Sequence, residues 1–244
     1  MSDQSPPPAP EEGGAGQPPV EITASSARLV STLTVAGAAA GLLIVLVFQW
    51  ANPRIEAYRA LVLAEAVGEV LGAPDRYETV FLDGDRFTTT PESDTVNLER
   101  IYVGYDEVDR PMGVAVVGGE PGFQDIIDLI FGYDPSTGQV LGMKVLESKE
   151  TPGLGDKILK DSTFIREFLG VATPLLAVRR GREANLAEEV VLITGATISS
   201  QTVIDIINHR VEELGPAISD FWSTSAMAAA GGTATPGDRV GGGG

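Results

Sequence analysis

Val190-Val191-Leu192-Ile193-Thr194-Gly195-Ala196-Thr197-Ile198-Ser199-Ser200 is an apolar run that stops at a glycine and opens into hydroxyl residues. The β-branched run suits a buried strand, and Gly195 permits a turn that residues with a Cβ resist. Behind it, Val203, Ile207, Val211 and Leu214 recur at three- and four-residue steps, which predicts a helix over 199–214. Thr197, Ser199 and Ser200 each have the chemistry to cap that helix, so one reading of the segment is a capped helix and nothing more. The other reading puts Thr197 at a strand-to-helix turn, with its hydroxyl presented to a ligand.

Outward from this stretch the order of elements is legible. Residues 54–71 read as a helix with Leu61, Ala64, Val67 and Leu71 on one face. Strands are predicted over 77–82, 100–105, 112–117, 125–133 and 139–146. The last two flank Asp134-Pro135-Ser136-Thr137-Gly138, whose proline and glycine supply the backbone angles of a hairpin. A helix is predicted over 162–169. Hairpin-linked strands followed by helices define an α+β domain with a mainly antiparallel sheet and flanking helices.

Residues 29–50 carry no charge, and as a helix they would span about 33 Å at 1.5 Å per residue, enough to cross a bilayer core. Gln49 and Trp50 stand where an interfacial anchor belongs. The run is long for a signal peptide, the preceding residues are proline-rich and mostly acidic, and no small-x-small cleavage site follows, so a retained membrane anchor is expected. Arg28 flanks one end and Arg54 and Arg59 the other; read alone, that count leans slightly towards a cytoplasmic domain. The expected organisation is a disordered Pro/Gly-rich stretch over 1–28, a transmembrane helix over 29–50, a helical linker over 51–76, the folded domain over 77–224 and a disordered Gly/Ala-rich tail over 225–244. The closing Gly241 to Gly244 read equally as natural low complexity or a linker scar.

The chain has no cysteine, which removes disulfides, thiolate-held iron–sulfur clusters and thioether-linked haem together. A single histidine, His209, leaves no histidine-rich metal site, and no metal is expected. A net charge of −17 argues against nucleic acid as a partner. His209 reads as a surface or packing residue whose place near a helix C-terminus favours its charged form.

The loop 151–155 follows the 139–146 strand, so its tip belongs at a sheet edge within reach of a ligand. Gly153 and Gly155 let backbone N–H groups approach closely, and Leu154 offers an apolar contact to a ring. The bland alternative is a structural turn. The third glycine of a dinucleotide fingerprint is absent, and Asp156-Lys157 does not complete a Walker loop.

Thr194-Gly195-Ala196-Thr197 resembles the flavinylation motif of the FMN-binding domain found in the G-type subunit of Rnf electron-transport complexes and the C-type subunit of the sodium-translocating NADH:quinone oxidoreductase. Glu150-Thr151-Pro152-Gly153-Leu154-Gly155-Asp156-Lys157 resembles that family's other signature, in the family's order and at roughly its spacing. The resemblance runs from about residue 61 to 214, after one membrane anchor as in those subunits. It implies one covalent FMN per chain, esterified through its phosphate to Thr197. Thr194, Gly195, Ala196, Ser199 and Ser200 would surround the attachment point, and Glu150, Thr151, Pro152, Gly153, Leu154 and Gly155 would belong to the flavin pocket.

The resemblance further implies an electron carrier, with no substrate turnover of its own, inside an Rnf-type ion-translocating oxidoreductase. Its lasting partners would be the other membrane subunits, and a magnesium-dependent flavin transferase would deliver FMN from FAD. The implied location is a bacterial inner membrane, with the flavin domain on the periplasmic or outer face, opposite to the arginine count. Family members often carry a histidine shortly before the Glu-Thr-Pro-Gly segment, whereas Ser148-Lys149 stands here. Lys149 is then either a positive charge beside a reduced flavin or a solvated lysine, and Lys157, Arg179 and Arg180 present the same choice. The alternatives are a membrane-anchored FMN-binding carrier or sensor outside an ion pump, and a structural ectodomain without cofactor.

Overall fold

A computed structural model describes residues 26–92, 94–179 and 187–231. The expected N-terminal stretch up to residue 25, the tail from 232 and Arg180 lie outside the described residues. The chain divides into two compact units, Met1–Ile55 and Glu56–Gly244. Helix α1, Ser26–Val70, contributes to both.

In the first unit the helix is long and apolar enough to cross a membrane, and the side chains of its apolar stretch are exposed. Its polar end is marked by the Arg54 guanidinium 4.2 Å above the Trp50 ring, a cation–π pair suited to an interface.

The second unit is built on a sheet ordered β2-β1-β3-β4-β5-β6-β7, every neighbouring pair antiparallel. Its strands are β1 (Arg76–Asp83), β2 (Arg86–Thr88), β3 (Arg100–Tyr105), β4 (Pro111–Pro121), β5 (Ile126–Asp134), β6 (Gln139–Ser148) and β7 (Val171–Ala172). Between β6 and β7 lie two short helices, α2 (Lys157–Lys160) and α3 (Ser162–Arg166). A separate parallel pair, β8 (Leu176–Arg179) with β9 (Glu189–Leu192), leads into the final helix α4 (Thr197–Gly231).

Period-two alternation sorts the strand residues between two cores. Ile101, Val103, Val114, Val116, Ile127, Leu129 and Phe131 face α3, β9 and α4 in the larger core. Tyr102, Ala115 and Ile130 face the other way, onto Ala66, Val67 and Val70 of α1. The expected helical linker therefore includes the cover of the second sheet face. Its buried face is Ala66, Val67, Val70 and Leu71, so Val67 and Leu71 lie on it as expected, whereas Leu61 is 71% exposed. Glycines on the strands admit the helix here, since a Cβ on Gly132 would collide with the Val70 carbonyl.

The hairpin 134–138 forms as its residues predict. The Asp134 carboxylate accepts from the Ser136 N–H and the Thr137 hydroxyl, both at 2.8 Å. Helix α3 starts on Asp161, whose side chain accepts from the N–H groups of Thr163 and Phe164.

Helix α4 departs from expectation at both ends. It begins at Thr197 and runs past Gly215 and Pro216 to Gly231, into the segment expected to be a tail. Leu214 and Ile218 are buried on the same face, and the Trp222 indole N–H donates to the Ser136 hydroxyl at 2.8 Å, so packing continues beyond the local stop signal. His209 consequently lies mid-helix, away from the C-terminal dipole expected to act on it.

Candidate functional site

Strand β9 ends at Leu192, Gly195 turns the chain at φ 83°, and α4 starts two residues later. The first α-helical bond of the turn is Ser200 N–H to Ala196 C=O at 2.8 Å. The N–H groups of Thr197, Ile198 and Ser199 therefore stand at the start of a long helix without intrahelical acceptors, where the dipole favours an anion. The Thr197 side chain is exposed there.

Thr197 opens onto a cleft of about 590 Å³, part of it solvent space. From the 150–155 segment Glu150, Thr151, Leu154 and Gly155 line it; from the turn come Gly195, Ala196, Thr197, Ile198 and Ser199; the β4–β5 loop adds Phe123. Leu154, Ile198 and Phe123 are 51%, 54% and 67% exposed. Exposed apolar side chains around a helix N-terminus fit a ligand with a flat apolar body and an anionic tail.

The wall is tied together at Glu150. It is 5% exposed, and its two oxygens accept from the Gln124 N–H and the Ser199 hydroxyl, both at 3.0 Å. Thr151 donates its hydroxyl to the Gln124 side-chain oxygen at 2.8 Å. Asp156 accepts from the Gly153 N–H at 2.7 Å and from the Lys160 ammonium; the lysine bond first, then the backbone bond and the lysine charge, hold its carboxyl below the usual range, and together they brace the loop.

The two sequence segments thus meet in one cleft, although not every residue assigned to it faces the opening. Ser200 is buried, and its hydroxyl accepts from the Ile193 N–H and donates to Ala196 C=O. It secures the strand end behind the site. Thr194 contributes its carbonyl, which accepts from the Lys157 ammonium at 3.2 Å. Pro152 and Gly153 are exposed on the loop but do not line the cleft. Among the candidate cations, Lys149 pairs with Asp125 and Glu147 at 3.6 and 3.7 Å and is not a lining residue. Arg179 is exposed on β8.

Phe123 and Ile198 escape a sequence reading. Phe123 follows the glycine of a loop with no periodic pattern. Ile198 reads as an ordinary helical residue, and only the turn geometry directs it outward.

An open apolar cleft beside an anion-favouring helix start and an exposed hydroxyl suits a ligand with an apolar body and an anionic group. Residues 122–212 match the model of the FMN-binding domain. The chain is 28% identical over 188 residues to the G subunit of the ion-translocating oxidoreductase complex of Methanosarcina acetivorans, covering 76% of this chain and 92% of the relative. It is 30% identical over 137 residues to the corresponding G subunit of Escherichia coli K12, covering 55% of this chain and 65% of the relative, just under two thirds of its length. In fold it is similar to the crystal structure of Shewanella oneidensis NqrC, with a TM-score of 0.53 at 16% identity over 72% of this chain and 99% of that one.

Proposed function

We propose that this chain is a membrane-anchored electron carrier whose FMN is esterified through phosphate to Thr197, in an Rnf-type ion-translocating oxidoreductase. The observation that carries the reading is the exposed hydroxyl of Thr197 at the start of α4, opening onto an apolar cleft inside the FMN-binding domain.

Thr197 forms the O–P bond; with FAD as donor, its pyrophosphate bond breaks, AMP leaves, and the hydroxyl proton passes to the transferase or solvent. The free N–H groups of the first turn of α4 hold the phosphate. Leu154, Ile198 and Phe123 supply the apolar contacts for the ring, and Gly195 supplies the positive φ of the turn that presents Thr197. The bound flavin supplies the redox chemistry, while the chain supplies position and electrostatics. Attachment suits a carrier on the outer face of a bacterial inner membrane, since a dissociable FMN there would be lost by dilution. The tether also holds it at high effective concentration beside its redox neighbours.

The relatives are subunits of ion-translocating oxidoreductase complexes, which supports the other membrane subunits of such a complex as lasting partners and a flavin transferase as a transient one. The test is intact-mass analysis with in-gel fluorescence of the chain co-expressed with a flavin transferase. An FMN mass and fluorescence that survive denaturation, and vanish in Thr197→Ala, are expected. An unmodified native chain beside an active control would overturn the reading.

A further inference from the structure

We infer that Glu150 sets the reduction potential of the flavin in this cleft by holding a fixed negative charge in its wall. The inference rests on the FMN-carrier reading above and adds a residue role to it.

Glu150 lines the cleft and is 5% exposed, yet among the described residues no lysine or arginine forms an ion pair with it. A buried carboxylate without a cationic partner is costly. The chain is built around this one. A Cβ at Gly122 would lie 2.4 Å from one carboxylate oxygen, and a Cβ at Gly155 would lie 2.5 Å from the other. Both oxygens accept hydrogen bonds, and the Ser199 donor belongs to the first turn of α4, where the dipole supports an anion.

Hydrogen bonding alone does not call for an acid here. A glutamine would keep the bond from the Gln124 N–H, and the Ser199 hydroxyl would turn to accept from its amide. What a glutamine would lose is the charge. Lys149, the cation that stands just before the signature, is turned to Asp125 and Glu147 and does not neutralise the wall. A negative charge held in the wall of a partly desolvated cleft opposes the addition of electrons to the ring, and so lowers its potential.

The measurement is the midpoint potential of the full-length, FMN-loaded chain, titrated anaerobically with dithionite and followed by flavin absorbance. Dithionite supplies two electrons per flavin and is oxidised to sulfite, while solvent supplies the protons taken up. Glu150→Gln should shift the potential upward. Glu150→Asp, which keeps the charge, should remain closer to the native value. Thr151→Lys, on the half-exposed side of the same wall, gives up the Thr151 bond to the Gln124 side chain but keeps both hydrogen bonds to Glu150, should also shift the potential upward, and serves where Glu150→Gln does not fold.

An FMN-loaded Glu150→Gln chain with the native potential would overturn the inference, as would equal shifts in Glu150→Gln and Glu150→Asp. So would an unshifted Thr151→Lys chain. Failure of the carrier reading itself is read separately, as a native chain with no FMN mass.

Discussion

The ammonium of Lys157 donates to the main-chain carbonyl of Thr194 at 3.2 Å, tying the start of α2 to the end of the β9 segment across 37 positions of sequence. The lysine that closes one signature thus holds the strand-to-helix turn of the other. It lies 3.4 Å from where a Cβ on Gly195 would stand, so it also fixes the space behind that turn.

Lys157→Met should keep the aliphatic stem and lose this bond. The expected cost is about 1 kcal/mol, the scale of one hydrogen bond exchanged with water. Urea unfolding monitored by tryptophan fluorescence would measure it, and an unchanged midpoint would mean that the tie is not a stabilising one.

Gly155→Ala should destabilise the domain more than Gly153→Ala. The added methyl at 155 meets the Glu150 oxygen, the Glu150 Cβ at 2.8 Å and the Ser199 hydroxyl at 2.9 Å, all inside a packed wall. Overpacking of this kind costs about 1–3 kcal/mol. At 153 there is open space, and only the φ of 79° opposes a side chain, which costs roughly 1 kcal/mol. Thermal unfolding of the two variants side by side tests the order.

Stability should fall slightly as pH rises through the titration of His209. Its Nδ1 lies 2.8 Å from a Glu120 carboxylate oxygen, and that hydrogen bond, then the charge of Glu120, raise its pKa above the ordinary 6.5. A folded pKa raised above the unfolded one gives stability that is full below about 6.5 and lost as pH climbs through the folded value. The ring is exposed, so the effect should be small and weaken with salt. Denaturation midpoints at pH 5.5 and 8.5 should differ less in His209→Gln than in the native chain.

A chain beginning at Glu56 should fold and stay in the aqueous phase without detergent, whereas the full chain should need detergent. The boundary of the compact units falls there, and it leaves Ala66, Val67 and Val70 to cover the second sheet face. Cutting instead at residue 76 should strip that cover from Tyr102, Ala115 and Ile130 and cause aggregation. Partition in detergent phase separation, followed by size-exclusion chromatography, distinguishes these outcomes.

Much of the domain is legible in the sequence because its signals are local. The strands over 100–105 and 139–146 have alternation and turn residues at their ends, and the structure places β3 over the first and β6, two residues longer, over the second. Strands β2, β7 and β8 are two to four residues long, too short for a period to register, and they exist because neighbouring strands offer them partners. The end of α4 is not legible, because Gly215 and Pro216 are strong local stop signals and burial of Ile218 outweighs them.

The apolar span of residues 29–50 and the turn at Gly195 can be read without a fold, since each rests on residue types acting on their own backbone or on bulk solvent, whereas the pairing of two signature segments with one site is what the family resemblance implies. Three-dimensional packing decides that Phe123 and Ile198 join the cleft, that Ser200 turns inward, that Lys157 rather than Lys149 meets the turn, and that Glu150 is gripped between two glycines. Those outcomes depend on strand register and on which surfaces exclude water, and distances across the fold are set by contacts that no local pattern specifies.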